Sequence, residues 1–140
     1  MAILGVAALL LGSCQTPAER AKTSDDGVSA IQFEDIPVPD GLRLQERAHS
    51  SDSLELGEYR YANFSYVGGV PVAEVSSYLR DRMPQHKWTL LAEETDPDGN
   101  DTLSFRRGKY TAECRLQHEE SSARTTLDIV VRTTLDPRRD

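Results

Sequence analysis

Four segments in the second half of the chain place apolar side chains at every other position. They are Trp88, Leu90 and Ala92; Leu103 and Phe105; Tyr110, Ala112, Cys114 and Leu116; and Leu127, Ile129 and Val131. A fifth segment lies earlier, between Gly57 and Val67, where Ala62, Phe64 and Tyr66 alternate with Tyr61, Asn63 and Ser65. Successive side chains of a strand point to opposite faces, so a period of two makes strands with one apolar and one polar face. A sheet of such strands needs a cover on one side and leaves the other open to water unless something lies on it. Gly68-Gly69, Asp96 to Asp101, Arg107-Gly108-Lys109 and His118 to Arg124 are turn-forming or polar stretches that separate the strands.

One segment has a different period. Val72, Val75, Leu79 and Met83, with Tyr78 alongside, form a stripe at helical spacing between Pro71 and Met83. Pro71 suits the first turn, Glu74 lies early and Arg80 and Arg82 lie late as the helix dipole prefers, and Pro84 stops the helix. The expected fold class is α+β: a two-layer sandwich with one helix packed on a mainly antiparallel sheet of four or five strands, in the order β-α-β-β-β. Ahead of it, Pro37 and Pro39 hold Phe33 to Gly41 extended, so that Phe33, Ile36 and Val38 pack from an edge. Leu42 and Leu44 start a short strand, and His49 to Ser53 reads as polar loop.

The first residues carry an address. Ala2 to Leu11 is a ten-residue apolar run, too short for a spanning helix of roughly 20 residues and suited to the core of a signal peptide. It ends in Leu11-Gly12-Ser13-Cys14, which resembles the lipobox of bacterial lipoproteins. The resemblance implies cleavage after Ser13 and lipid on Cys14, where several acyl chains anchor far better than one. Met1-Ala2-Ile3 lacks the usual opening Lys or Arg, so the positive charge comes from the amino terminus or from an upstream start. By the same resemblance Gln15, where Asp would retain the protein at the inner membrane, favours the periplasmic face of the outer membrane. The expected organisation is a signal peptide over 1–13, a lipidated cysteine and flexible tether over 14–30, a single domain over 31–134 and a disordered tail over 135–140.

The formal net charge is −7, and Met1 to Ser13 contributes no charged side chain to it. An acidic domain argues against nucleic acid and against electrostatic docking on anionic lipid, so membrane attachment rests on the acyl chains. Lipidation of Cys14 leaves Cys114 alone, inside an alternating strand pattern, as a small buried hydrophobe. Asp96-Pro97-Asp98-Gly99-Asn100-Asp101 is the densest oxygen cluster, but it departs from a calcium loop: Gly99 stands two places early, and Arg107 occupies the place of the closing Glu. The turn reading is preferred there. His49, His86 and His118 have no second ligand at metal spacing, and Gly68-Gly69 lacks the flanking residues of a phosphate loop. No nucleophile motif is present. The sequence therefore leads to the expectation of no enzyme activity, no cofactor and no metal. Tyr59 and Tyr61 are candidates for an exposed aromatic patch that meets a protein partner.

Phe33 to Gly41 (F-x-D-I-P-V-P-D-G), Tyr66-Val67-Gly68-Gly69, Tyr78-Leu79, Met83-Pro84 and Trp88 together resemble a group of small uncharacterised lipoproteins of Gram-negative and related bacteria. Here His86-Lys87-Trp88 stands where that group has Asn-Gly-Trp. The resemblance implies the same element order and no established activity. The function expected is that of a lipid-anchored cell-envelope lipoprotein acting as a protein-interaction module. The alternative is a periplasmic domain that binds a small ligand or an ion.

Overall fold

The computed structural model describes residues 32–45 and 51–134. Cys14, the tether, Ile31, His49 and the tail lie outside them. The alternating segments pair into one sheet, and every pair is antiparallel. Its strands are β1 (Leu42–Leu44), β2 (Asp52–Leu56), β3 (Tyr59–Gly68), β4 (Thr89–Thr95), β5 (Asp101–Arg107), β6 (Tyr110–Glu119) and β7 (Arg124–Thr133). The spatial order is β1-β3-β7-β6-β5-β4, with β2 also on β3. β2 and β1 share one edge of β3: β2 runs opposite Tyr59 to Asn63, and β1 opposite Tyr66 to Gly68. The final strand, β7, lies in the middle of the sheet between β3 and β6.

This corrects the expected fold class. The described residues form a seven-stranded, mostly-sheet structure with one short helix, α1 (Val72–Arg82), in place of a helix packed on four or five strands. Three strands precede the helix, where the β-α-β-β-β order has one: the short strand expected at Leu42 and Leu44, the long strand, and between them β2. The strand missed altogether is β2, because Leu54 and Leu56 alternate on an exposed surface and are separated by acidic residues. Two apolar residues at a spacing of two are too short an alternation to mark a strand and its face.

β4 departs from expectation too. Its pairing steps from Leu90 opposite Phe105 to Ala92 opposite Ser104, so Leu91 is the extra residue of a bulge. An inserted residue exchanges the two faces of everything beyond it. The alternation of Trp88, Leu90 and Ala92 on one face therefore breaks, and Glu93 comes to face the helix, where it pairs with Arg80.

The inner faces of β3, β5, β6 and β7 supply Ala62, Phe64, Tyr66, Leu103, Phe105, Ala112, Cys114, Leu116, Leu127, Ile129 and Val131 to a single core. Val75 and Leu79 of α1, and Met83 beyond it, close over them. Phe33, Ile36 and Leu42 complete the cover, with the Phe33 ring edge-on to Phe64 at 5.6 Å between centroids. β1 approaches β3 closely at two glycines: a Cβ on Gly68 would fall 1.9 Å from the Gly41 carbonyl oxygen. Burial raises the Cys114 thiol to about 12, which removes the thiolate on which reactivity depends.

After α1 a 3-10 turn, Met83–His86, swings the chain back to Trp88. Lys87 ends that turn in the left-handed region, at φ 68°. A side chain there crowds the following carbonyl, and glycine avoids that cost. Lys87→Gly is expected to raise stability by about 0.5–1 kcal/mol, net of glycine's greater chain entropy. Urea unfolding of the two proteins would measure it, and equal midpoints would show that the turn is unstrained.

Candidate functional site

Three places gather polar or exposed groups in a way the core does not require. The first is a charged fastening. Phe33 to Ile36 forms a turn, closed by the Ile36 N–H to the Phe33 carbonyl at 3.1 Å, rather than the extended stretch expected, and this turn carries the Asp35 carboxylate to the ends of β3 and β5. It accepts hydrogen bonds from Arg60 Nη1 at 2.9 Å and Nη2 at 2.6 Å, and one from Arg107 Nη1. The Asp35 backbone carbonyl accepts from the buried Trp88 indole N–H at 2.8 Å. The Arg60 guanidinium lies 4.1 Å from the Phe33 ring centroid and 5.2 Å from that of Tyr110. Burial pushes the Asp35 carboxyl up, but the hydrogen bonds and charges of Arg60 and Arg107 outweigh it, so the group lies below its ordinary value. The same bond from Asp35 raises Arg60. Both Asp35 oxygens are thus paired, while Arg60 Nε is buried without a hydrogen-bond partner, 3.9 Å from Glu55, and the cluster ties the N-terminal segment to the sheet.

The second place is the acidic turn between β4 and β5. Asp96 Oδ1 accepts the backbone N–H groups of Asp98 and Asn100, each at 2.9 Å, and Oδ2 accepts Asn100 Nδ2 at 2.9 Å. The Asn100 side chain, more than any other group, holds Asp96 below its ordinary value. Asp101 points elsewhere, bonding Thr95 Oγ1 at 2.7 Å and the Ser76 hydroxyl of α1. Asp96 is thus spent on the turn, and Asp101 on Thr95 and the helix. Among the described residues no three His, Cys, Asp or Glu side chains are placed to share a metal ion. His86 is half-buried in the 3-10 turn and His118 is exposed near the end of β6. The start of α1, beside Gly69, shares a hollow with Asp98 and Asp101, whose charge already suits the positive end of the helix.

The third place is the outer face of the sheet, uncovered by any described residue. Most of it is polar, with Thr102, Ser104, Thr111, Glu113, Thr126 and Asp128 at inter-strand positions. At the β2–β3 hairpin it turns apolar. Leu54 is 52% exposed, Leu56 72% and Tyr59 45%. Leu54 stands directly opposite Tyr61 and Leu56 opposite Tyr59, so the four side chains share one face. Elsewhere on the sheet lies an open hollow of about 340 Å³, lined by Leu91, Thr111, Val130 and Arg132 among others. Tyr59 and Tyr61 are legible in the sequence as a possible patch. Leu54 and Leu56 are not, because they follow the polar stretch from His49 to Ser53, although their spacing of two is a signal.

No protein-family model, no curated protein and no solved structure matches this chain.

The fastening leads to a prediction about pH. A carboxyl with a depressed folded pKa binds fewer protons than in the unfolded chain, so its contribution is full above the ordinary aspartate value of about 3.9 and fades as pH falls through the lower folded value. Asp35→Ala leaves Arg60 buried without its partner and is expected to cost roughly 3 kcal/mol, the low end for an orphaned buried charge. Asp35→Asn is expected to lose the part of the acid sensitivity that Asp35 supplies. Urea titrations at pH 7 and pH 3 read both effects, and identical pH slopes for Asn and Asp would remove the carboxylate from the account.

Proposed function

We propose that this chain is a lipid-anchored lipoprotein of the cell envelope, whose domain docks a protein partner through the open face of its sheet. The anchor reading rests on the ten-residue apolar run and on Leu11-Gly12-Ser13-Cys14, which lie outside the described residues. Among the described residues no helix is long and apolar enough to cross a membrane. The docking reading is carried by one observation: Leu54, Leu56 and Tyr59 are 52%, 72% and 45% exposed side by side on a single hairpin. Scattered apolar residues on a surface need no explanation, but adjacent leucines and tyrosines on an uncovered face are what a protein interface uses. The convergence of nucleophile, base and oxyanion donors that enzyme chemistry needs is not found among the described residues, and the proposal includes no catalysis.

The alternative of a small-ligand or ion-binding domain has the open hollow beside Val130 in its favour. It lacks the enclosed, mainly apolar walls by which such sites bury a ligand.

Metabolic labelling with palmitate, followed by membrane fractionation, tests the anchor. The wild-type chain is expected to carry label in the outer-membrane fraction, and Cys14→Ala to carry none and leave the membrane. Equal labelling of the two proteins, or none in either, would refute the lipoprotein reading.

A further inference from the structure

The open face is not uniform across its width. Reading the strand pairings from edge to edge, Leu54, Tyr61, Arg132, Thr111, Arg106 and Thr89 stand opposite one another in a single row. Six strands at about 4.8 Å make that row roughly 24 Å long, with Arg132 and Arg106 about 10 Å apart across β6. Both arginines are exposed. Arg60, Arg80, Arg107, Lys109 and Arg115 each lie within ion-pair distance of a carboxylate. Arg106 and Arg132 have no such partner among the described residues, in a chain of net charge −7. The row alongside is acidic, with Asp52 and Glu113, but Glu113 is already engaged by Arg115 at 2.6 Å. The basic row and the apolar hairpin therefore meet at one corner of the face, where Tyr61 lies between Leu54 and Arg132.

Resting on the reading of this face as a docking surface, we infer that its partner is an acidic protein segment with an aliphatic or aromatic anchor. The anchor covers Leu54, Leu56 and Tyr59. Carboxylates spaced along the segment pair with Arg132 and Arg106, whose planar guanidiniums suit two-point contact with a carboxylate. Charge complementarity selects this occupant. A flat anionic bilayer would press against the acidic rows of the face as well as the basic one, whereas a narrow segment lying along the row meets its charges within a screening length of about 8 Å. Arginine and tyrosine beside an apolar cluster are also the residues that dominate protein interfaces.

The test uses the full chain in detergent micelles and a fluorescein-labelled random copolymer of glutamate and tyrosine, with binding read by anisotropy. Saturable binding to the wild-type protein is expected. It should weaken roughly tenfold in Arg106→Glu with Arg132→Glu, and comparably in Leu54→Ser with Leu56→Ser. Arg43→Glu with Arg124→Glu makes the same charge change away from the row and is expected to leave affinity nearly unchanged. Arg106→Gln with Arg132→Gln, checked for its melting transition, guards against loss of fold and should also weaken binding. Absence of binding, equal weakening by the two glutamate pairs, or equal affinity for a lysine–tyrosine copolymer would overturn the inference. So would tighter binding to phosphatidylglycerol vesicles that is lost with Arg106 and Arg132, which would make this a membrane-facing surface. Palmitate labelling does not depend on these side chains, so failure here and failure of the anchor are separate results.

Discussion

A sheet with one apolar face must be covered, and here the helix is too small to do it. Eleven residues of α-helix are about 16 Å long and about 10 Å across, while six strands side by side span roughly 24 Å. The remainder of the cover is the segment from Phe33 to Leu42, which makes two turns, Ile36 N–H to the Phe33 carbonyl and Leu42 N–H to the Pro39 carbonyl, but has no hydrogen-bond ladder along its length. It is held instead by its prolines, by Phe33 and Ile36 in the core, and by the Asp35 carboxylate between Arg60 and Arg107. The Asp35 carbonyl also receives the Trp88 indole, which ties this segment to the chain leaving the 3-10 turn. Two covers of different kinds thus meet over one core, joined by a polar cluster rather than by a second helix. The guanidinium of Arg60 can lie among aromatic rings only because a carboxylate meets it there.

The same constraint explains the open face. With the described covers drawn to the inner side, no described residue lies over the outer side, and its strands carry Thr, Ser and paired charges accordingly. The free edge at β4 is guarded by the bulge at Leu91 and by Glu93 and Glu94, devices that discourage strand addition. The β2–β3 hairpin breaks this pattern, with leucines and tyrosines where solubility would favour polar groups. That departure from the chemistry of its own sheet gives the hairpin and the adjoining arginine row their functional weight.

Much of the core was legible from alternation alone. Ala62, Phe64 and Tyr66, Ala112, Cys114 and Leu116, and Leu127, Ile129 and Val131 are buried as their period of two requires. The helical stripe of Val75, Leu79 and Met83 likewise faces inward. What failed was the strand count and the parity of β4. β2 offers only two alternating apolar residues, Leu54 and Leu56, set among acidic ones and exposed, and a bulge is set by how two strands meet rather than by either sequence. Of the candidate surface, the tyrosines could be read and the arginines could not, since Arg106 and Arg132 become neighbours of Thr111 only through two strand pairings.

By itself the sequence determined what local geometry dictates: which side of most long strands is apolar, and where the helix lies between Pro71 and Pro84. Each depends on a few consecutive residues and the fixed periods of strand and helix. Only the tertiary structure decided that β7 lies at the centre, that β1 and β2 share an edge, and that Asp35 joins Arg60 and Arg107 from 25 and 72 residues away. Those choices follow from covering one apolar face with all the chain at once, and no window of the sequence contains that condition.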